Sequence, residues 1–291
     1  MRPGLLAMLA SVLLYTSANL CVKLLSELGT FQLVFLRSVV SLALCVMYLK
    51  AKGIPLLGNN RRWLALRGVA GMVALSMFFH TVRHIPLATA TVIQYLSPMF
   101  TLMLAVGVLG ERARPWQWGL LVTALVGIVM VKGFDPRVSW GMWAMGLGAS
   151  VLAAVAYLAT MKCRDTDHPV GVVIWFHLLA VPTMGGLSAA SWVPMASWQW
   201  GLALAVGVLS IAAQVLMTLA LHREDAGTVM PFKYVGAVLA LVAGWWGFGE
   251  SMTVWSLVGM AVVVASVVAN TLLKAKESRV APTRKPALGE S

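Results

Sequence analysis

Long apolar runs, separated by short clusters of charge and turn-forming residues, dominate this chain. Read between those clusters, they predict helices over 4–24, 31–50, 63–84, 86–109, 115–132, 139–160, 170–190, 198–221, 226–248 and 253–273. Each is close to the roughly 20 residues that a helix rising ~1.5 Å per residue needs to cross a hydrocarbon layer. Such spans nearly exhaust the 291 residues, so little chain is left for a soluble catalytic domain. Pro86 directly follows Arg83-His84 and forces a break, and Asp225 stands where an N-cap would open the ninth helix. Helices three and four, and eight and nine, are therefore expected to form tight hairpins. The amino end, Met1-Arg2 before an apolar run, has the look of a signal peptide, but no small-x-small pattern follows it. It reads as helix one.

The second half repeats the first. A shift of 139 residues, without a gap, lays Ala10-Ser11-Val12-Leu13 on Ala149-Ser150-Val151-Leu152 and Lys23 on Lys162. The same register pairs Gly68-Val69 with Gly207-Val208, Thr89 with Thr228, and Tyr95 with Tyr234. It also pairs Gly110-Glu111 with Gly249-Glu250 and Trp116 with Trp255. Each copy holds five spans, an odd number, so the second copy enters the membrane from the opposite side. The expected fold is an all-α integral membrane protein of ten transmembrane helices, arranged as two inverted five-helix repeats. The first repeat covers 1–133 and the second 134–274, with a disordered basic cytoplasmic tail over 275–291.

Composition agrees with a membrane protein: 60% of residues are hydrophobic and 11% charged, and the mean hydropathy is +0.85. A net charge of +12 would suggest a nucleic-acid partner in a soluble protein. Here the positions of the charges point to membrane orientation instead, and no nucleic-acid partner is expected. With the amino end in the cytoplasm, the inner segments hold Arg2, Lys50, Lys52, Arg61, Arg62, Arg67, Arg112, Arg114, Lys162, Arg164, Arg223, Lys274, Lys276, Arg279, Arg284 and Lys285. The outer segments hold only Lys23, Arg83, Lys132 and Arg137. This asymmetry predicts a multi-pass protein of the cell (inner or plasma) membrane with both termini cytoplasmic. Cys21, Cys45 and Cys163 have no metal-like spacing and read as packing residues.

Charge inside the bilayer is costly, so each ionisable residue within a span is a candidate for function. All ten acidic residues fall at span ends or in loops, which argues against a buried carboxylate relay. Lys233 lies about eight residues into the ninth span, too deep for an ordinary interfacial charge. Its register partner is Gln94, and each is followed by a tyrosine, Tyr95 and Tyr234. A cation facing a cavity would favour a substrate with a carboxylate or phosphate. Pro98 and Pro231 fall inside spans, where a proline frees the carbonyl four residues back; they are kinks that either aim backbone dipoles at a ligand or are inert. Pro182 is a weaker case. Arg37 either snorkels outward or binds a substrate anion, and His177 lies at nearly the equivalent place in the second half. Gln214 and Asn19 are polar positions expected to face the bundle interior, and Trp175 is a candidate cavity aromatic. His80 and His84 share a helix face at i, i+4 without a third ligand, so no metal is expected, and His80 remains a candidate cavity residue or proton carrier.

The stretch from His80 through Ile85-Pro86-Leu87-Ala88-Thr89-Ala90-Thr91, Gln94-Tyr95-Leu96-Ser97-Pro98 and Leu109-Gly110-Glu111 resembles the helix three–four signature of EamA-type members of the drug/metabolite transporter superfamily. Pro231-Phe232-Lys233-Tyr234 with Phe248-Gly249-Glu250 is similar to that family's helix nine signature. The resemblance implies export or import of metabolites such as amino acids or S-adenosylmethionine, and kinship with nucleotide-sugar transporters. It also implies a central cavity lined by both halves, with Gln94, Tyr95, Lys233 and Tyr234 in it. The chain is thus expected to be a secondary transporter of a small organic metabolite (amino acid, carboxylate or nucleoside-like, with an anionic group favoured), working by alternating access as a monomer or homodimer without a cofactor. Its partners would be that metabolite and the lipid bilayer. A membrane enzyme would need a nucleophile or metal arrangement that the sequence does not present. A non-transporting assembly or sensor protein is the other alternative.

Overall fold

A computed structural model describes residues 3–94, 96–109, 115–133, 138–224, 229, 232–233, 235–249 and 253–280. Among these residues the regular structure is helical throughout, with no strand. In chain order the helices are α1 (Pro3–Leu24), α2 (Thr30–Ala51), α3 (Arg61–His84), α4 (Leu87–Gln94), α5 (Ser97–Leu109), α6 (Pro115–Gly133), α7 (Trp140–Lys162), α8 (Pro169–Ala189), α9 (Ser197–Arg223), α10 (Val235–Phe248) and α11 (Val254–Val280). Six of them, α1, α2, α3, α7, α8 and α9, are long and apolar enough to cross a membrane.

Local chemistry sets the ends. Ile85 is extended (φ −129°, ψ 164°), as the residue before a proline prefers, and this stops α3 at His84. The Ser139 hydroxyl accepts the Met142 amide at 3.2 Å to open α7. Pro169 takes the first position of α8, where a missing N–H costs nothing, and His168 Nδ1 accepts the Val170 amide at 3.2 Å.

Two boundaries differ from the sequence reading. The single span expected over 86–109 is two helices, broken after Gln94, so Pro98 sits in the first turn of α5 and not inside a continuous helix. The break is held from outside: Ser150 Oγ donates to the Ile93 carbonyl at 2.7 Å, and Gly146 lies so close that a Cβ there would stand 2.8 Å from the Ile93 side chain. The last helix runs on to Val280, beyond the predicted end at 273. Asp225 lies outside the described residues.

The helices pack in a symmetric pattern. α1 lies along α9 while its register counterpart α7 lies along α3, and the counterparts α2 and α8, and α6 and α11, pack on each other. Glycines allow the close approaches: a Cβ on Gly207 would meet Val40 of α2, and one on Gly127 would stand 2.8 Å from the Gly259 carbonyl of α11. Two of the apolar clusters lie near the helix ends. One cluster, with Val22, Leu25, Leu33, Val82 and Ile85, lies where α1 and α3 end and α2 begins. The other, with Ala7, Met8, Met161 and Leu221, lies where α1 begins and α7 and α9 end.

Loops clasp each other at both ends. At the first, Gln32 Nε2 donates to the Val193 carbonyl at 2.9 Å while its Oε1 accepts the Val193 amide at 3.0 Å. Arg83 adds bonds to the Ser26 carbonyl and the Thr30 hydroxyl. At the other end the buried Asp167 carboxylate accepts the Asn59 and Asn60 amides at 2.6 and 3.3 Å, and Asn59 Nδ2 donates to the Thr166 carbonyl at 2.7 Å. Asp167→Ala leaves these amides without their acceptor, at about 1–3 kcal/mol for buried donors. Scanning fluorimetry of the purified variant should show a melting temperature several degrees lower; an unchanged value would mean that this clasp does not hold the two loops.

Candidate functional site

A cavity of about 150 Å3 lies within the bundle, lined from α1, α2, α3, α4, α7, α8, α9 and the turn before α10. Arg37, Arg67, Lys233, Gln94, Gln214, Asn19 and Ser210 provide its polar lining, with Tyr15 and Tyr157. Phe78, Phe79, Leu75, Met217 and Phe176 are among its apolar residues. Among the described residues, none that lines it is acidic.

The three cations are deeply held, with exposures of 3% for Arg37, 5% for Arg67 and 9% for Lys233. Arg37 comes from α2 and Arg67 from α3, and both guanidiniums rest on the Phe176 ring of α8, at 5.3 and 5.8 Å from its centroid. An aromatic face stabilises a cation by about 0.5–2 kcal/mol, which offsets only part of the cost of burying it. Arg37 Nη2 donates to Gln214 Oε1 at 3.3 Å. Its Nε and Nη1, and Nε of Arg67, are buried with no hydrogen-bond partner among the described residues. Gly71, one turn along α3, makes room for Arg67, because a Cβ there would collide with the Arg67 guanidinium. Across the cavity Lys233 Nζ donates to the Tyr157 hydroxyl at 2.6 Å and lies 4.3 Å from that ring's centroid.

Five of the residues singled out in the sequence line this cavity: Arg37, Gln94, Lys233, Gln214 and Asn19. Gln94 brings a buried Oε1 without a hydrogen-bond partner among the described residues. Three lie elsewhere. His80 stacks on His84 at 4.2 Å toward the end of α3, and no group of three metal-ligating side chains occurs among the described residues. His177 is fully buried behind the wall, edge-on to Phe176 at 4.8 Å, with neither ring nitrogen partnered among the described residues. Trp175 points its indole N–H at the Leu57 carbonyl, 3.1 Å away, and so ties α8 to the α2–α3 loop. Tyr95, Tyr234 and Pro231 lie outside the described residues.

Arg67 corrects the sequence reading, which assigned it to the cytoplasmic flank together with Arg61 and Arg62. It stands six residues into α3, about 9 Å from the helix start. The available signal was its position after the apolar run Trp63-Leu64-Ala65-Leu66 and ahead of Gly68 and Gly71, small residues that allow close packing.

The register that relates the two halves also relates the walls of the cavity. Adding 139 carries Arg37 to Phe176, Gly71 to Ser210, Leu75 to Gln214, Phe78 to Met217 and Gln94 to Lys233, and every member of these pairs lines the cavity. Arg37 and Phe176 also touch each other. Counterparts would meet in this way close to an axis relating two inverted copies, the arrangement expected from the sequence.

The family model described as the EamA-like transporter family matches this chain twice, over residues 2–133 and 139–272. The pseudopaline exporter of Pseudomonas aeruginosa is 32% identical to it over 271 residues, covering 91% of this chain and 94% of the exporter. A riboflavin transporter of Rhizobium johnstonii is 26% identical, covering 75% of this chain and 73% of its own. An S-adenosylmethionine uptake transporter of Rickettsia prowazekii is 23% identical, covering 77% of each chain. A solved crystal structure at 16% identity superposes with a TM-score of 0.71 over 94% of this chain and 98% of that one, and so shares the fold.

A buried cation with unmade hydrogen bonds is a stability cost that an apolar side chain of similar length does not carry. Arg67→Met is therefore expected to raise the melting temperature of the ligand-free protein by a few degrees. A lower melting temperature would identify Arg67 as a structural residue.

Proposed function

The chain belongs to the EamA-like transporter family, and from that premise we propose that it carries a small organic anion across the membrane through the cavity of Arg37, Arg67 and Lys233. One observation carries this reading: three buried basic side chains converge on one cavity whose lining, among the described residues, includes no acidic residue. Burying a charge costs several kcal/mol even after the surroundings relax, and a structural role would call for a paired carboxylate. A transported carboxylate or phosphate supplies the missing partner for as long as it is bound. The substrate is thus an amino acid, carboxylate or nucleoside-like metabolite that carries an anionic group, and the protein is a multi-pass transporter, not an enzyme.

Transport proceeds by alternating access. Ten transmembrane helices form two inverted five-helix halves, 1–133 and 134–274, which rock about the central site and expose it to each face in turn. The double family match, the exchange of packing partners between α1–α9 and α7–α3, and the paired cavity positions support this arrangement. The loop clasps at Gln32 and Asp167 would then open in alternation. The excess of basic residues on one set of loops supports a cell inner or plasma membrane location with both termini in the cytoplasm.

Proteoliposomes preloaded with carboxylates, phosphate esters or neutral analogues provide the test. Counterflow is expected with members of the anionic sets alone, and Lys233→Met should reduce it at least about tenfold, the loss of one charge-assisted contact. Counterflow of neutral analogues at equal rates would overturn the anion assignment.

A further inference from the structure

Building on the organic-anion reading above, we propose that the substrate carries two separate anionic groups, one held by Arg37 and Arg67 and the other by Lys233 with Tyr157. The two cation sets stand on different scaffolds. Arg37 and Arg67 share the Phe176 ring, and Arg37 bonds to Gln214; Lys233 bonds to Tyr157 and lies against that ring. Among the described residues no hydrogen bond or cation–ring contact joins the two sets, although Tyr157 is near enough to Arg67 to interact with its charge.

Charge balance favours a second anionic group, although two carboxylates still leave one of the three cations uncompensated. One carboxylate in this cavity would leave two of three buried cations uncompensated, and each such charge is costly. Hydrogen-bond capacity gives the same answer. Arg37 Nε and Nη1 and Arg67 Nε are buried donors without partners among the described residues, and a guanidinium presents its donors as a planar fork suited to a carboxylate. The Tyr157 oxygen accepts from Lys233, which leaves the phenolic hydrogen as a donor beside the two remaining ammonium hydrogens. A second oxyanion fits there. Leu75, Phe78 and Met217 line the same cavity and suit a carbon body that joins the two groups.

The test uses the purified full-length chain in lipid nanodiscs and isothermal calorimetry. Probes are dicarboxylates of graded length, from succinate to suberate, each compared with its monoamide, 2-methyl-substituted members compared with both of their monoamides, and glycerol phosphate as a single doubly charged group. The best dicarboxylate is expected to bind at least about tenfold more tightly than either of its monoamides. In Lys233→Met its affinity should fall to that of one monoamide, and in Arg67→Gln to that of the other. Should Arg67→Gln not fold, the Lys233→Met comparison decides. Equal binding of dicarboxylates and monoamides, or glycerol phosphate matching the best dicarboxylate, overturns this inference and leaves the organic-anion reading standing. Failure of every anion to bind overturns both.

Discussion

Taking a guanidinium or an ammonium out of water costs several kcal/mol even after the protein relaxes around it, and a membrane bundle has few polar groups to spend on it. Arg37, Arg67 and Lys233 are all nine-tenths buried, and their compensation is partial: one ring shared by two guanidiniums, one amide oxygen and one phenol. Much of the remaining structure can be understood as holding these groups in place. The interlocked helix pairs fix the backbone, Gly71 clears space for Arg67, and clasped loops close the bundle at each end. An arrangement so unfavourable by itself is retained where a ligand completes it.

On the proposed duplication, the two copies would place the site between them, and their divergence would set what it recognises. Counterparts on the two copies face the same cavity, but in most pairs the chemistry is no longer shared: Arg37 faces Phe176, Gln214 corresponds to Leu75, and Lys233 to Gln94. Arg67 corresponds to Val206, a core residue outside the cavity lining. A symmetric ancestor of this site would present equal walls to both halves. The present one has unequal donors on its walls, and under the proposed anion reading these would hold a bound molecule in one orientation.

The apolar runs, the 139-residue register and Pro86 made the helical organisation legible in the sequence, and the isolated charges at 37 and 233 pointed to the cavity. Arg67 was missed because it follows Arg61 and Arg62, and a helix-end cluster of arginines has the pattern of a cytoplasmic flank; its burial depends on how α3 packs against α8. The break after Gln94 was hidden for a similar reason. The sequence there stays apolar and helix-compatible, and the interruption is fixed by Ser150 on a distant helix. Trp175 and His177 read as cavity residues because depth in a span is visible in a sequence while the rotational facing of a helix is set by its neighbours. Trp175 instead ties down a loop, and His177 packs behind the residue that does face the cavity.

The central claim is that one cationic chamber on the axis between two halves is reached alternately from both faces of the membrane. Asn19→Cys, introduced after replacement of Cys21, Cys45 and Cys163, places a reporter thiol on the chamber wall. Membrane-impermeant methanethiosulfonates, one anionic and one cationic, would be applied to sealed vesicles of each orientation. The account predicts labelling from both faces, faster with the anionic reagent than with the cationic one. Labelling from one face alone, or faster reaction with the cationic reagent, would contradict it.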